Sequence, residues 1–260
     1  MQFWTLGVSA PRRAGEFGRR AEDAGWHGML VVDSQNLSGD SYVALTAAAL
    51  ATSNLGLGPG VTNSVTRHAA VTASAIGSIQ KLSAGRAVLG IGRGDSALAH
   101  VGRAPARLGA FEAYLKNVQT YLRGGDVPFV DCGIDDAVAP DVEELELADT
   151  PSTSTISWLR QDPKVPVEVA ATGPKVIGIA ARHAERVMFT VGADVERLRW
   201  GIGTAEAAAR DANRDLSELA FGAYVNIVCH PNLETAQKLA RGGATLFARF
   251  SVMHGGISGP

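Results

Sequence analysis

Cysteine is scarce in this chain: 260 residues hold two, Cys132 and Cys229. They lie far apart and no CxxC spacing occurs, so neither a zinc site nor a disulfide framework can be built from them, and no metal is expected. This usage predicts a reducing cytoplasm. Net charge is small, with 24 basic against 26 acidic residues and a formal charge of -2. A slightly acidic surface draws neither nucleic acid nor anionic membrane, so neither is an expected partner. Long apolar runs are missing as well, and none approaches the ~18 residues needed to cross a bilayer. The opening Met1-Gln2-Phe3-Trp4-Thr5-Leu6-Gly7-Val8 has no basic leader and no small-residue cleavage site, and it reads as a strand.

What is present is the composition of a globular protein, 46% hydrophobic and 19% charged. The length exceeds a typical domain of ~100–150 residues, yet α/β barrels reach ~250 as one unit, so a single domain over 1–260 is expected. β-rich runs at 3–8, 28–33, 55–62, 87–92, 165–171, 186–191 and 220–228 alternate with Ala-rich stretches of helical composition at 15–25, 41–52, 69–82, 109–123, 174–184, 195–212 and 233–250. Strict alternation implies a parallel sheet. The strands are nearly continuous apolar runs, which means burial on both faces and fits a barrel or a doubly wound sheet equally. A barrel needs an eighth βα unit, and after Phe250 only ten residues remain. Either the barrel is incomplete in this chain or the chain has been cut. Between Gly124 and Lys164 runs a long connection, an acidic insertion at about 124–164, with nine acidic residues from Asp126 to Asp149 and no Lys or Arg among them. A solvated excursion is its plain reading and a lid over the active site the other.

Two Gly-rich strand ends, Gly56-Leu57-Gly58-Pro59-Gly60 and Gly90-Ile91-Gly92-Arg93-Gly94, superficially suggest the dinucleotide fingerprint GxGxxG. Neither completes it, because the third position holds Val61 in one and Asp95 in the other. These glycines either let a planar ring approach the backbone or serve tight packing at strand ends. A third segment, Ala170-Ala171-Thr172-Gly173-Pro174-Lys175, ends a strand and places Pro near the first turn of a helix. It is an anion nest for a phosphate, or an ordinary helix start.

Gly60-Val61-Thr62-Asn63-Ser64-Val65-Thr66-Arg67-His68, followed by Leu82-Ser83-Ala84-Gly85-Arg86 and Ala87-Val88-Leu89-Gly90-Ile91-Gly92-Arg93-Gly94-Asp95-Ser96-Ala97-Leu98, resembles the luciferase-like monooxygenase superfamily. Within it the chain is most similar to the coenzyme F420-dependent branch, including methylenetetrahydromethanopterin reductases, and residues 169–177 share that similarity. The resemblance spans 1–260. It implies a TIM-like (β/α)8 barrel of the bacterial luciferase type, here apparently lacking its eighth βα unit, with the coenzyme at the C-terminal ends of the strands. It further implies a non-prolyl cis peptide at Gly60-Val61 backing the deazaflavin ring, beside Thr62, Gly92, Arg93 and Gly94, and a phosphate held at Ala171, Thr172, Gly173, Pro174 and Lys175. Asp33 matches a position that touches the coenzyme, although a strand-end residue capping a turn reads the same way. Ser34, Gln35 and Asn36 lack the His found there in sugar-phosphate dehydrogenases, which argues against a sugar-phosphate substrate.

Asp95 matches an acidic position serving as proton donor or acceptor next to the ring; a salt bridge with Arg93 would instead leave it structural. Arg67 and His68 open a helix where the family commonly has Arg-His-Pro, and Ala69 stands in place of the Pro. His68 then reads as a structural residue before it reads as a base. The expected activity is hydride transfer between coenzyme F420 and an electrophilic carbon of a small organic substrate. The alternatives are an FMN-dependent luciferase-like monooxygenase and a non-catalytic flavin-binding barrel. Relatives of this kind are commonly homodimers, and the Ala-rich stretches 41–52 and 69–82 suit such an interface.

Overall fold

The computed structural model describes residues 1–146, 148, 150–159, 163–252 and 259. They divide into two compact units, the first comprising Met1–Leu89 and Arg93–Val165, the second Gly90–Gly92 and Pro166–Pro260. Asp149 of the acidic run and, apart from Gly259, residues 253–260 of the expected tail lie outside the described residues.

The first unit runs β1 (Trp4–Gly7), α1 (Pro11–Asp23), β2 (Gly28–Val31), α2 (Ser41–Ala51), β3 (Gly56–Pro59), β4 (Thr62–Asn63), α3 (Ala69–Leu82), the first residue of β5 (Leu89–Gly92), α4 (Asp95–Ala99), α5 (Leu108–Leu122), β6 (Asp126–Val127) and β7 (Ser154–Thr155). Strands β1, β2 and β3 pair in parallel, and their register aligns Trp4, Gly28 and Gly56 in one row. The Trp4 indole occupies the space where a Cβ at either glycine would stand. One large ring thus fills what three medium side chains would otherwise share. A parallel bridge from Leu57 to Ala87 continues the order toward β5.

Helices α1 and α2 approach closely because Gly15 and Gly18 face Ala47, Ala48 and Ala51; a Cβ at Gly15 would stand 3.2 Å from the Ala47 carbonyl. Beneath them Met29, Leu45, Leu57, Ile76, Phe111 and Tyr121 are buried. Burying side chains of this size contributes ~1.5–3 kcal/mol each.

Two charged side chains close the N-terminal ends of these strands. Glu22 accepts the backbone N–H groups of Ser53, Asn54 and Leu55 at 2.5–3.1 Å. Partial burial raises its pKa, but those three donors and the nearby Arg86 outweigh it and hold the carboxylate below its ordinary value. Arg86 donates through Nε to Ser83 O, through Nη1 to Thr52 Oγ1 and Leu55 O, and through Nη2 to Ala49 O and Thr52 O, all within 2.6–3.0 Å.

The acidic insertion leaves this unit through a short antiparallel pair, Asp126 opposite Thr155 and Val127 opposite Ser154. Tyr121 donates to Ser154 Oγ at 2.7 Å beneath it. Residues 133–141 are exposed or nearly so, as a solvated excursion requires.

The second unit contains residues 90–92 of β5, then β8 (Val167–Ala171), α6 (Pro174–His183), β9 (Arg186–Phe189), α7 (Val195–Asp211), β10 (Ala220–Ala223) and α8 (Leu233–Val252). The parallel order is β10, β9, β8, β5. Phe189 stacks on Phe221 with centroids 5.9 Å apart, and its other neighbour is Gly201 of α7, where a Cβ would come within 2.8 Å of the ring.

All seven expected strands are present and shorter by up to five residues, and β4, β6, β7 and α4 are additions. Helix α1 begins at Pro11 rather than at 15, because Pro pre-sets the φ of a first helical turn and its missing N–H costs nothing there. The described parallel sheets are open, with β1 at one edge of the first and β10 at one edge of the second. Among the described residues no helix is long and apolar enough to cross a membrane.

Candidate functional site

In the first unit, the C-terminal ends of β2 and β3 and the entry to α4 gather most of the polar residues singled out from the sequence. The Gly60–Val61 peptide bond is cis. Gly60 donates to Val31 O at 2.7 Å, and a Cβ there would stand 2.7 Å from Leu30 Cβ, so close packing alone already demands glycine. Thr62 follows, fully buried. Asn63 then builds the turn into α3: its Oδ1 accepts Val65 N at 3.0 Å and Thr66 N at 2.9 Å, and its Nδ2 donates to Thr66 Oγ1. His68 caps α3, with Nδ1 accepting Ala70 N at 3.2 Å and Nε2 2.8 Å from Cys132 O. A carbonyl only accepts, so Nε2 carries the proton. Both ring nitrogens are thereby committed to structure.

Asp33, two residues beyond β2, is buried, and its Oδ2 meets Arg67 Nη1 at 2.6 Å. Arg67 Nη2 meets Asp40 Oδ2, also at 2.6 Å, while Asp40 Oδ1 caps α2 by accepting Tyr42 N at 2.8 Å and Val43 N at 3.1 Å. The guanidinium lies 5.0 Å from the centroid of the Tyr42 ring. Burial favours the neutral arginine, but the two carboxylates reverse this and raise its pKa. Asp40 moves the other way, since its burial is outweighed by the Val43 N–H, by Arg67 and by the Tyr42 N–H. Tyr114 donates to Arg67 O at 3.0 Å and is 2.7 Å from Thr72 Oγ1; burial pushes its phenol up to about 12.

Around this cluster the side-chain oxygens of Ser41, Tyr42, Thr62 and Ser64 are buried without a hydrogen-bond partner among the described residues. The Tyr42 phenol approaches the Thr62 hydroxyl, yet no bond of normal geometry closes between them. Buried polar atoms are nearly always paired, so these four, two from the first turn of α2 and two from the 60–66 segment, set the region apart as a candidate site.

At the entry to α4, Arg93 and Ala106 are linked twice, Arg93 Nε donating to Ala106 O at 2.7 Å and Ala106 N to Arg93 O at 2.9 Å. Gly94 caps the helix with φ 84° and ψ 64°, a conformation that side chains disfavour, and a Cβ there would stand 2.8 Å from Asn63 Cβ. Asp95 is the first residue of α4, half-buried.

The second unit holds Gly92 and the 171–175 segment. Thr172 Oγ1 lies 2.5 Å from Thr190 Oγ1 where β8 gives way to α6. Gly173 is the N-cap with no side-chain cap bond, Pro174 opens the helix, and a Cβ at Gly173 would meet open space. First-turn N–H groups have no intrahelical acceptor, as at any helix start.

Residues 3–255 match the family of luciferase-like monooxygenases. The chain belongs to that family. Sequence relatives include the 5,10-methylenetetrahydromethanopterin reductases of Methanolobus tindarius, 27% identical over 217 residues (80% of this chain, 59% of the relative), and of Methanopyrus kandleri, 28% identical over 223 residues (78% and 58%). The chain therefore spans about three fifths of the length of these curated relatives. Among solved structures it is similar to the coenzyme F420-dependent tetrahydromethanopterin reductase from Methanopyrus kandleri, with a TM-score of 0.75 at 22% identity over 94% of this chain and 71% of that one. It is also similar to an F420-dependent secondary alcohol dehydrogenase in complex with an F420-acetone adduct, with a TM-score of 0.73 at 18% identity over 95% and 76%. These likenesses establish the luciferase-like α/β fold.

Within this luciferase-like chain, sequence reasoning located Asp33, Gly60, Val61, Thr62, Arg93, Gly94 and Asp95 in the first unit and Gly92 and 171–175 in the second. It missed the Asp40, Tyr42 and Tyr114 partners of Arg67, which converge from α2 and α5. It also missed Glu168 on β8, buried 3.7 Å from Arg186 and 3.3 Å from the Tyr224 hydroxyl that donates to it. Burial raises the pKa of Glu168, against the opposing pull of Arg186 and Tyr224. A lone acid inside the apolar run Val167-Glu168-Val169 is the signal that could have found it.

Proposed function

We propose that this luciferase-like protein is a coenzyme F420-dependent oxidoreductase acting on an electrophilic carbon of a small organic substrate. The observation that carries the reading is its similarity to 5,10-methylenetetrahydromethanopterin reductases over 80% of the chain. The residues fit such a coenzyme: Thr62 and Ser64 offer buried hydroxyls awaiting a partner, and Gly173 leaves open space before an uncapped helix. When bound, the deazaflavin supplies the carbon that gives or takes a hydride.

In the first unit, Gly60, Val61 and Thr62 support the ring, Arg93 and Gly94 hold the α4 entry, and Asp33 braces the site through Arg67. Asp95 gives or takes the proton that accompanies hydride transfer. In the second, Gly92 leaves room beside a strand end, and Ala171, Thr172, Gly173, Pro174 and Lys175 hold a phosphate. The match over 3–255 supports one barrel domain with an acidic insertion. The free thiols of Cys132 and Cys229 suit the cytoplasm. A homodimer is supported by α2 and α3: α2 has no charged residue and exposes Val43 (56%) and Leu50 (71%), and α3 exposes Val71 (54%).

Titration of the protein with coenzyme F420 and separately with FMN, followed by absorbance and fluorescence of the ring, tests the reading. Saturable F420 binding with weak FMN binding is expected, and Asp95→Asn should then lower turnover by about 10²-fold or more while leaving binding in place. Preference for FMN would replace the reading with a monooxygenase, the chemistry named for several structural neighbours.

A further inference from the structure

Arg67 lies one residue before the cap of α3, and its bonds reach well beyond that helix. Its guanidinium ties the end of β2 through Asp33 to the N-terminus of α2 through Asp40, both at 2.6 Å, and its carbonyl is fastened to α5 by the Tyr114 hydroxyl at 3.0 Å. The segment from Gly60 to Arg67 is thus anchored at both ends, at Gly60 by Val31 O and at Arg67 by three elements. Between these anchors stand the buried Thr62 and Ser64 hydroxyl oxygens, without a hydrogen-bond partner among the described residues. Two carboxylates approached from different elements need the planar fork of a guanidinium; an ammonium on a flexible stem can neutralise one but cannot fix both.

We propose that Arg67 is the positioning residue of the coenzyme site: it sets the placement of the 60–66 segment, and with it the hydroxyls of Thr62 and Ser64, for the deazaflavin. Asp33 acts through Arg67 and not as a contact of its own. This rests on the F420 reading above. The charge of Asp33 is spent on Arg67, and the segment's backbone, not its side-chain charge, is what the pair controls.

The test uses Arg67→Lys, the charge-neutral pair Asp33→Asn/Arg67→Gln, and Tyr114→Phe, which removes only the bond to Arg67 O and the one to Thr72. For each variant the F420 dissociation constant and the absorbance maximum of the bound ring are measured where circular dichroism shows the variant folded, alongside its thermal midpoint. Arg67→Lys and the double variant should weaken F420 binding by about tenfold or more and displace the bound-ring absorbance; Tyr114→Phe should do so in the same direction by less. Unchanged F420 affinity and spectrum in these variants, whatever happens to the midpoint, would make Arg67 a purely structural brace and overturn the proposal while leaving the F420 reading intact. Failure of the unsubstituted protein to bind F420 would instead overturn the reading and this proposal together.

Discussion

Arg86 and Arg67 stand at opposite ends of the strands of the first unit, both half-buried and both joining elements distant in sequence. The partners of Arg86 are oxygens of Ala49, Thr52, Leu55 and Ser83, and its five N–H donors make five bonds. Those of Arg67 are two carboxylates, and four hydroxyls nearby have no partner among the described residues. The N-terminal end is complete in itself, with Glu22 filling three further backbone donors. The C-terminal end is incomplete, and incompleteness at a strand end is where fold and function part company.

Replacing Arg86 with Met should give the sharpest contrast. It leaves several buried carbonyls unbonded and should cost about 3 kcal/mol or more in urea unfolding, with F420 affinity unchanged in the folded fraction. Gly94→Ala tests whether the other end tolerates strain, since it forces a side chain into a left-handed conformation against Asn63. A loss of about 1–3 kcal/mol is expected together with reduced turnover, because Asp95 is the next residue.

Glu22→Gln should cost about 1 kcal/mol near neutral pH. The folded pKa of Glu22 lies below the ordinary 4.5, so its contribution is present above that value and disappears as pH falls through the folded pKa; the variant should therefore lose less stability on acidification. Glu168 in the second unit carries the opposite sign. Its pKa is raised, so stability is full below about 4.5 and declines as pH rises, and Glu168→Gln should flatten thermal midpoints measured upward from that pH. The smallest effect belongs to Thr62→Val, which removes an unpartnered hydroxyl at nearly constant shape. Stability within about 0.5 kcal/mol of the parent with weaker F420 binding is expected, whereas a clear loss of stability would show that the hydroxyl already has a structural partner.

The seven strands were legible because each is an apolar run bounded by Gly, Asn or charge, and the spacing of 69–82 marked α3 to the residue. Turn-scale elements were not: β4 has two residues and α4 five, too short for any period to register. The glycines at 60 and 94 were legible as positions of special backbone. The Arg67 network was not, because Asp33 and Arg67 are 34 residues apart and a pairing across that distance leaves no periodic trace. Glu168 is legible only in hindsight, since hydropathy patterns treat one acid in a strand as noise.

The narrow antiparallel neck formed by Asp126–Val127 and Ser154–Thr155 draws the two ends of the acidic excursion together. Because the ends are already held together, each doubling of the chain between them costs only about 0.6 kcal/mol of closure entropy. The neck is therefore a graft point: past the Cys132 carbonyl, which meets His68 Nε2 at 2.8 Å, a fluorescent reporter or affinity tag can be inserted in the exposed 133–141 stretch without disturbing the fold of this unit.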